Sequence, residues 1–75
     1  MYKIRVEKVA ELKDGRTNRA ISQKVGCSET HINQIFLGNK KCSETLAKLL
    51  ILMCTNYNKD NCSLEDVVKE YFEEA

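Results

Sequence analysis

The chain has 75 residues, of which 43% are hydrophobic and 31% are charged. A chain of this length supports only one hydrophobic core, so residues 1–75 are predicted to form a single domain. There is no proline and there are only three glycines, a composition that favours helices over strands. No apolar run approaches the roughly 20 residues of a membrane span, and the first residues lack the apolar centre of a secretory signal. We therefore expect a soluble, cytoplasmic, all-α protein.

The net charge of +1 conceals an uneven distribution of charge along the chain. Residues 1–48 contain ten Lys or Arg and five Asp or Glu, which gives +5, whereas residues 49–75 contain two and six, which gives −4. Such segregation is expected where one face of a domain meets phosphates and another does not. Surface helices of mixed charge are the alternative explanation.

The N-terminal residues follow helical spacing. Their apolar stripe consists of Tyr2, Val6, Val9 and Ala10 or Lys13, widened by Ile4 and Leu12. This spacing predicts a first helix from about Lys3 to Asp14, which Gly15 ends. Arg16 follows, and its guanidinium is expected either to meet a phosphate or to remain a solvated loop cation.

Two short helical patterns then meet at a single glycine. Thr17 can cap a second helix, whose apolar face is formed by Ala20, Ile21 and Val25. Gly26 ends that helix because glycine adopts the left-handed conformation without a steric penalty. Ser28 can cap a third helix directly afterwards. Its inward face contains Ile32, Ile35 and Phe36, and its outward face contains Glu29, Thr30, Asn33 and Gln34. Amide and hydroxyl side chains at this spacing can reach base edges in a major groove.

These residues resemble the helix-turn-helix of phage repressor and Cro proteins, over about 40 residues from Thr17 to roughly Thr55. The shared features are the apolar positions Ile21, Val25, Ile32 and Ile35, the turn Gly26-Cys27-Ser28, and the exit Leu37-Gly38-Asn39-Lys40. Ser22 stands where the family usually has alanine, and its hydroxyl requires a hydrogen-bond partner. The resemblance implies a five-helix repressor-like or Cro-like bundle that binds DNA.

Two further helices complete the predicted bundle. Ser43 caps a fourth helix from Glu44 to about Cys54, whose core face is expected to contain Leu46, Leu49, Leu50 and Met53. After a polar loop at residues 55–61, Ser63 opens a fifth helix with a capping-box pattern. Its apolar stripe consists of Leu64, Val67, Val68, Tyr71 and Phe72. The stripe is expected to close the bundle, or in part to form a dimer seam with Ile51 and Leu52, which lie off the predicted core face.

The expected functional contacts fall into three groups. Base edges are assigned to Ser28, Glu29, Thr30, Asn33 and Gln34, with a phosphate contact as the alternative for the first three. The DNA backbone is assigned to Arg16, Thr17, Asn18, Arg19, Lys40 and Lys41. A dimer interface is assigned to Ile51, Leu52, Tyr71 and Phe72. The amides of Asn33 and Gln34 suit adenine, whereas Glu29 can accept from cytosine or repel wrong sites.

The four cysteines, Cys27, Cys42, Cys54 and Cys62, show no Cys-x-x-Cys spacing. We therefore expect reduced thiols rather than a zinc site, with an incidental Cys54–Cys62 bond under oxidation as the alternative. No metal, cofactor or small-molecule ligand is expected.

The leading interpretation is a sequence-specific regulator of transcription that binds a two-fold symmetric operator in double-stranded DNA as a homodimer. The alternative is a small protein-interaction module of the antitoxin or antirepressor type. An enzyme has the least support, because no nucleophile–base pair, paired carboxylates or phosphate-binding glycine loop can be recognised and His31 has no apparent partner. The sequence leaves the operator, and repression versus activation, open.

Overall fold

The computed structural model of this chain describes residues 1–54 and 63–75, so the predicted loop at residues 55–61, and Cys62, lie outside the described residues. The described part forms a mostly helical domain with five α-helices and a two-stranded antiparallel sheet. In chain order the elements are β1 (Tyr2–Ile4), a 3₁₀ turn (Val6–Lys8), α1 (Val9–Lys13), α2 (Asn18–Val25), α3 (Glu29–Phe36), α4 (Glu44–Cys54), α5 (Leu64–Tyr71) and β2 (Phe72–Glu74). None of the described helices has the length and apolar character that a membrane crossing requires.

The helix boundaries that depend on capping residues are confirmed. The side-chain oxygens of Thr17, Ser28, Ser43 and Ser63 each accept a backbone N–H three residues later, at 3.1 to 3.2 Å. Gly26 has the left-handed φ of 79° that ends α2. These helix boundaries can be predicted from the sequence because a cap involves only the residue itself and its near neighbours in the chain, and does not depend on how the helices pack.

The prediction of a helix from Lys3 to Asp14 is wrong at its N-terminal half. Residues 2–4 pair instead with residues 72–74, with Ile4 opposite Phe72. Tyr2 also exchanges two backbone hydrogen bonds, both 2.8 Å long, with Cys42. The α-helix covers only Val9–Lys13, and Val6, expected on the apolar stripe, is 53% exposed. The all-α prediction is therefore corrected to a mostly helical domain with a small sheet at its ends.

The core face of α4 also differs from the prediction. The buried residues are Ala47, Leu50, Ile51 and Cys54. Of the four expected there, only Leu50 is buried, and Met53 is 37% exposed. The helix is apolar on nearly every side, so more than one face satisfies helical spacing. Packing against α1, α2 and α5 selects the face that contains the small Ala47, which lets neighbouring elements approach closely.

The predicted dimer seam is corrected at three of its four positions. Ile51 is 0%, Tyr71 8% and Phe72 1% exposed, because all three belong to the core of the chain itself. The Tyr71 hydroxyl donates to Glu11 Oε1 at 3.4 Å, and Phe72 has left the helix to pair with Ile4 in the sheet. The bundle-closing role of α5, which packs on α4, is confirmed. Of the predicted seam residues only Leu52, 48% exposed, lies at the surface.

The three described cysteines are free thiols, of which Cys42 and Cys54 are buried and Cys27 is half-buried. Burial raises the pKa of Cys42 to about 11. Burial also raises the pKa of Cys54, against the opposing charges of Arg16 and Lys24. Both thiols therefore stay protonated at neutral pH and pack as small apolar side chains. Within residues 1–54 and 63–75, no cluster of three or more His, Cys, Asp or Glu is placed to hold a metal ion.

Candidate nucleic-acid interface

Helices α2 and α3 pack directly on each other and bury Ile21, Ile32 and Ile35. The turn between them is fixed by the carbonyl of Ser22, which accepts the backbone N–H groups of Gly26 at 2.9 Å and Cys27 at 3.1 Å. The Ser22 hydroxyl donates to the carbonyl of Arg19 at 2.7 Å. This bond satisfies the buried hydroxyl, so serine is accommodated at the tight contact between the two helices.

The outward face of α3 is polar, as the spacing predicts. Glu29 and Thr30, in its first turn, are exposed, and Asn33 and Gln34, one turn later, are half-buried. Ser28 is exposed at the N-cap, where its Oγ accepts the N–H of His31 and leaves the hydroxyl proton available. The five residues assigned to base edges thus occupy one end and one side of α3.

The two amide side chains on this face each accept one hydrogen bond from another asparagine. The Nδ2 of Asn18 donates to Oδ1 of Asn33 at 3.0 Å, and Nδ2 of Asn39 donates to Oε1 of Gln34 at 3.2 Å. Within the described part of the chain, the amide nitrogens of Asn33 and Gln34 have no acceptor. These free donors suit guanine O6 and N7, adenine N7 and thymine O4 in the major groove, and the second lone pair of each amide oxygen can still accept from adenine N6 or cytosine N4.

Two residues assigned to the DNA backbone have structural partners instead. Asn18 is half-buried between α2 and α3, where its amide positions Asn33. Arg16 Nη1 donates to the carbonyls of Cys54 and Lys13 and lies 3.9 Å from a carboxylate oxygen of Asp14. Arg16 thus joins the C-terminal ends of α1 and α4, where a cation is favourable. The guanidinium of Arg16 is therefore a link within the fold and not a solvated loop cation.

Charge separates the helix-turn-helix segment, residues 17–41, from the rest of the domain. All the ion pairs among the described residues lie outside this segment: Arg5–Glu73, Lys8–Glu11, Lys8–Glu70, Arg16–Asp14, Lys48–Glu44 and Lys48–Glu65. Within it, the exposed cations Arg19, Lys24, Lys40 and Lys41 and the single acid Glu29 form no ion pair in the described structure. The segment therefore carries an uncompensated +3, while acidic residues of the C-terminal part neutralise other cations.

The structure adds Lys3 to the cations near α3. A Cβ built on Gly38, whose φ is 80°, would lie 3.0 Å from Cγ2 of Val6 and 3.6 Å from Cε of Lys3. The side chain of Lys3 therefore reaches the turn that leads to Lys40 and Lys41, and the three residues are called the lysine cluster below. Sequence reasoning missed Lys3 because it was assigned to a helix; the alternation of Tyr2 and Ile4 with Lys3 and Arg5 was the signal for a strand.

Comparison of the chain with protein-family models, with curated proteins and with solved structures found no match.

Proposed function

We propose that this protein is a sequence-specific regulator of transcription, of the phage repressor or Cro type, that places α3 in the major groove of double-stranded DNA. The observation that carries the proposal is the uncompensated positive charge of residues 17–41 around a polar face of amide and hydroxyl groups. Phosphate binding requires cations that are not already paired within the protein, and base reading requires the polar face between them.

The phosphate contacts flank the reading helix on two sides. On one side, Thr17 and Arg19 stand at the start of α2, where free backbone N–H groups favour an anion. On the other side, the lysine cluster follows the end of α3. Contacts on both sides of α3 fix its depth and register in the groove. Asn18 and Arg16 support this surface from within the fold rather than binding DNA themselves.

Base reading is assigned to Ser28, Glu29, Thr30, Asn33 and Gln34. Glu29 is the one acid among them, and its carboxylate accepts from cytosine N4 or opposes binding where only phosphates lie nearby. The amides of Asn33 and Gln34 most simply suit adenine, and their free N–H donors also suit the acceptors of guanine and thymine.

The operator is proposed to be two-fold symmetric, with one chain on each half. A single α3 carries few base-reading side chains, and two copies one helical turn apart add their contacts on one DNA molecule. Leu52, with the neighbouring Met53, offers exposed apolar surface for contact between the copies. With Ile51, Tyr71 and Phe72 buried, this contact is small and forms mainly on DNA.

Selection from a random duplex pool tests the proposed function. The purified chain is expected to enrich an inverted repeat. Its affinity for that repeat should fall steeply between about 50 and about 200 mM salt, because counterions are released when phosphates are bound. Failure to enrich any sequence, with weak binding that ignores salt, would contradict the proposal and favour the protein-interaction module.

Replacing Gln34 with alanine tests base reading. The variant Gln34→Ala should lose about 1 to 3 kcal/mol on the selected operator and relax preference at one base pair. Competition titrations against single-base-pair variants of the operator measure both effects. The control Gln23→Ala truncates an exposed glutamine on α2 and should keep the same preference. Equal weakening on every duplex would show that Gln34 merely positions the helix.

Asn33 is a poorer target for substitution, because Asn33→Ala leaves the amide nitrogen of the half-buried Asn18 unpaired.

A further inference from the structure

Leu37 is an exposed apolar side chain at the end of the polar face of α3. It is 56% exposed, whereas Ile35 and Phe36 beside it are buried. It follows Gln34 by three residues, Asn33 by four and Thr30 by seven, so it lies on the same face of the helix as these polar side chains. Its φ of −79° and ψ of −8° continue the helical conformation beyond the last residue of α3. Leu37 therefore extends the row of base-reading residues.

The exposure of Leu37 is fixed by the backbone around it. Its N–H donates to the carbonyl of Asn33, the N–H of Gly38 to Ile35, and the N–H of Asn39 to Gln34, each at 3.0 Å. Gly38 then turns the chain with a left-handed φ of 80°. Turning Leu37 inward would require breaking this hydrogen-bonded helix end, so the side chain stays outside.

The charges around Leu37 favour DNA over an apolar protein surface. The lysine cluster stands beside it, and none of its three ammonium groups is ion-paired within the described structure. A surface that packs on Leu37 must also compensate these cations. The DNA major groove does both, because phosphates border it and the thymine 5-methyl group is an apolar group on its floor.

We propose that Leu37 packs on the 5-methyl group of a thymine in each half of the operator. This inference rests on the proposed function and adds to it a base preference that polar side chains do not supply. Leu37 stands at the C-terminal end of α3, opposite to the end where Ser28, Glu29 and Thr30 lie. The thymine therefore lies at one edge of the half-site, and the bases that Ser28, Glu29 and Thr30 contact lie toward the other edge.

Deoxyuridine tests the contact, because it differs from thymidine only by the absence of this methyl group. Each thymine of the selected operator is replaced in turn, and binding is measured for the wild type and for Leu37→Ala. At one position in each half-site, wild-type affinity should fall about fourfold, the effect of uncovering one methyl-sized group. Leu37→Ala should bind the two duplexes equally at that position. Leu52→Ala, which truncates an equally large exposed leucine on α4, is the matched control: its affinity for the operator falls with the contact between copies, but the ratio of its affinities for the two duplexes should equal that of the wild type.

Several outcomes would overturn the inference. If replacing thymidine with deoxyuridine lowers the affinities of wild type and Leu37→Ala equally, another residue contacts the methyl group. If no thymine of the selected operator shows a dependence on its methyl group, Leu37 has no thymine to contact. If Leu37→Ala lowers cooperativity and the wild type shows no dependence on the methyl group, Leu37 contacts a second copy of the chain. A thermal melt checks that Leu37→Ala is folded. These results differ from failure of the proposed function, in which no operator is enriched at all.

Discussion

Replacing Ile51 with lysine is expected to unfold the domain, whereas the same replacement at Leu52 leaves it folded. Ile51 is 0% exposed within the core, and Leu52 is 48% exposed. An unpaired ammonium in an apolar core costs several kcal/mol, which is comparable with the total stability of about 5 to 15 kcal/mol of a small domain. A single replacement at the protein surface, such as Leu52→Lys, changes the free energy of unfolding by only about 0.5 kcal/mol. Circular dichroism during thermal and urea unfolding measures both variants, and a folded Ile51→Lys would contradict the observed core face.

The folded Leu52→Lys variant also tests the proposed dimer. Two ammonium groups brought together at the seam should weaken the contact between copies, so cooperativity on the symmetric operator should fall while affinity for an isolated half-site stays unchanged. Binding of only one chain to a full operator at saturation would argue against a dimer. Unchanged cooperativity of Leu52→Lys would remove this residue from the seam.

The contrast between Ile51 and Leu52 shows where helical spacing stops being informative. In α2 and α3, polar and apolar residues alternate clearly enough that the buried positions Ile21, Ile32 and Ile35 follow from the sequence. In α4, consecutive apolar residues satisfy several faces, and the choice among them depends on the shape of the neighbouring helices. Such information is tertiary, so the sequence of α4 alone predicts a helix but not its orientation.

The terminal sheet was missed for a related reason. A cap such as Ser28 completes its hydrogen bond three residues away, within the window that a local pattern covers. Tyr2 instead forms backbone hydrogen bonds with Cys42, and residues 2–4 pair with β2 at the opposite end of the chain. A three-residue strand without these distant partners has no stability of its own, and helical spacing fitted the same residues.

The candidate site was predictable in its position but only partly in its members. The outward face of α3 follows from spacing, and the basic character of the first half follows from counting charges. Counting does not show which cations are already paired. Arg5 lies 3.7 Å from a carboxylate oxygen of Glu73, and Arg16 is bound to carbonyl groups, whereas Lys40 and Lys41 remain unpaired in the described structure.

Neutralising the lysine cluster is expected to have the largest effect on DNA binding. If Lys3, Lys40 and Lys41 each contact one phosphate, replacing all three with glutamine lowers the slope of log affinity against log salt by about 2.7. At about 0.15 M salt this change weakens binding roughly a hundredfold, on operator and on unrelated DNA alike. Titrations over a range of salt concentrations, on both kinds of duplex, measure the slope and the affinity together.

A matched variant separates the position of these charges from their number. Replacing Lys8, Lys48 and Lys69 with glutamine changes the net charge by the same amount, but Lys8 and Lys48 pair with carboxylates and Lys69 lies on α5, away from the helix-turn-helix segment in the chain. The control variant should therefore retain nearly the whole slope, because paired or distant cations release no counterions at the interface. Equal slopes for the two triple variants would show that only net charge matters. The single variant Lys3→Gln should lower the slope of log affinity against log salt by about 0.9. An unchanged slope would mean that Lys3 does not touch DNA and that β1 only supports the turn before Lys40 and Lys41.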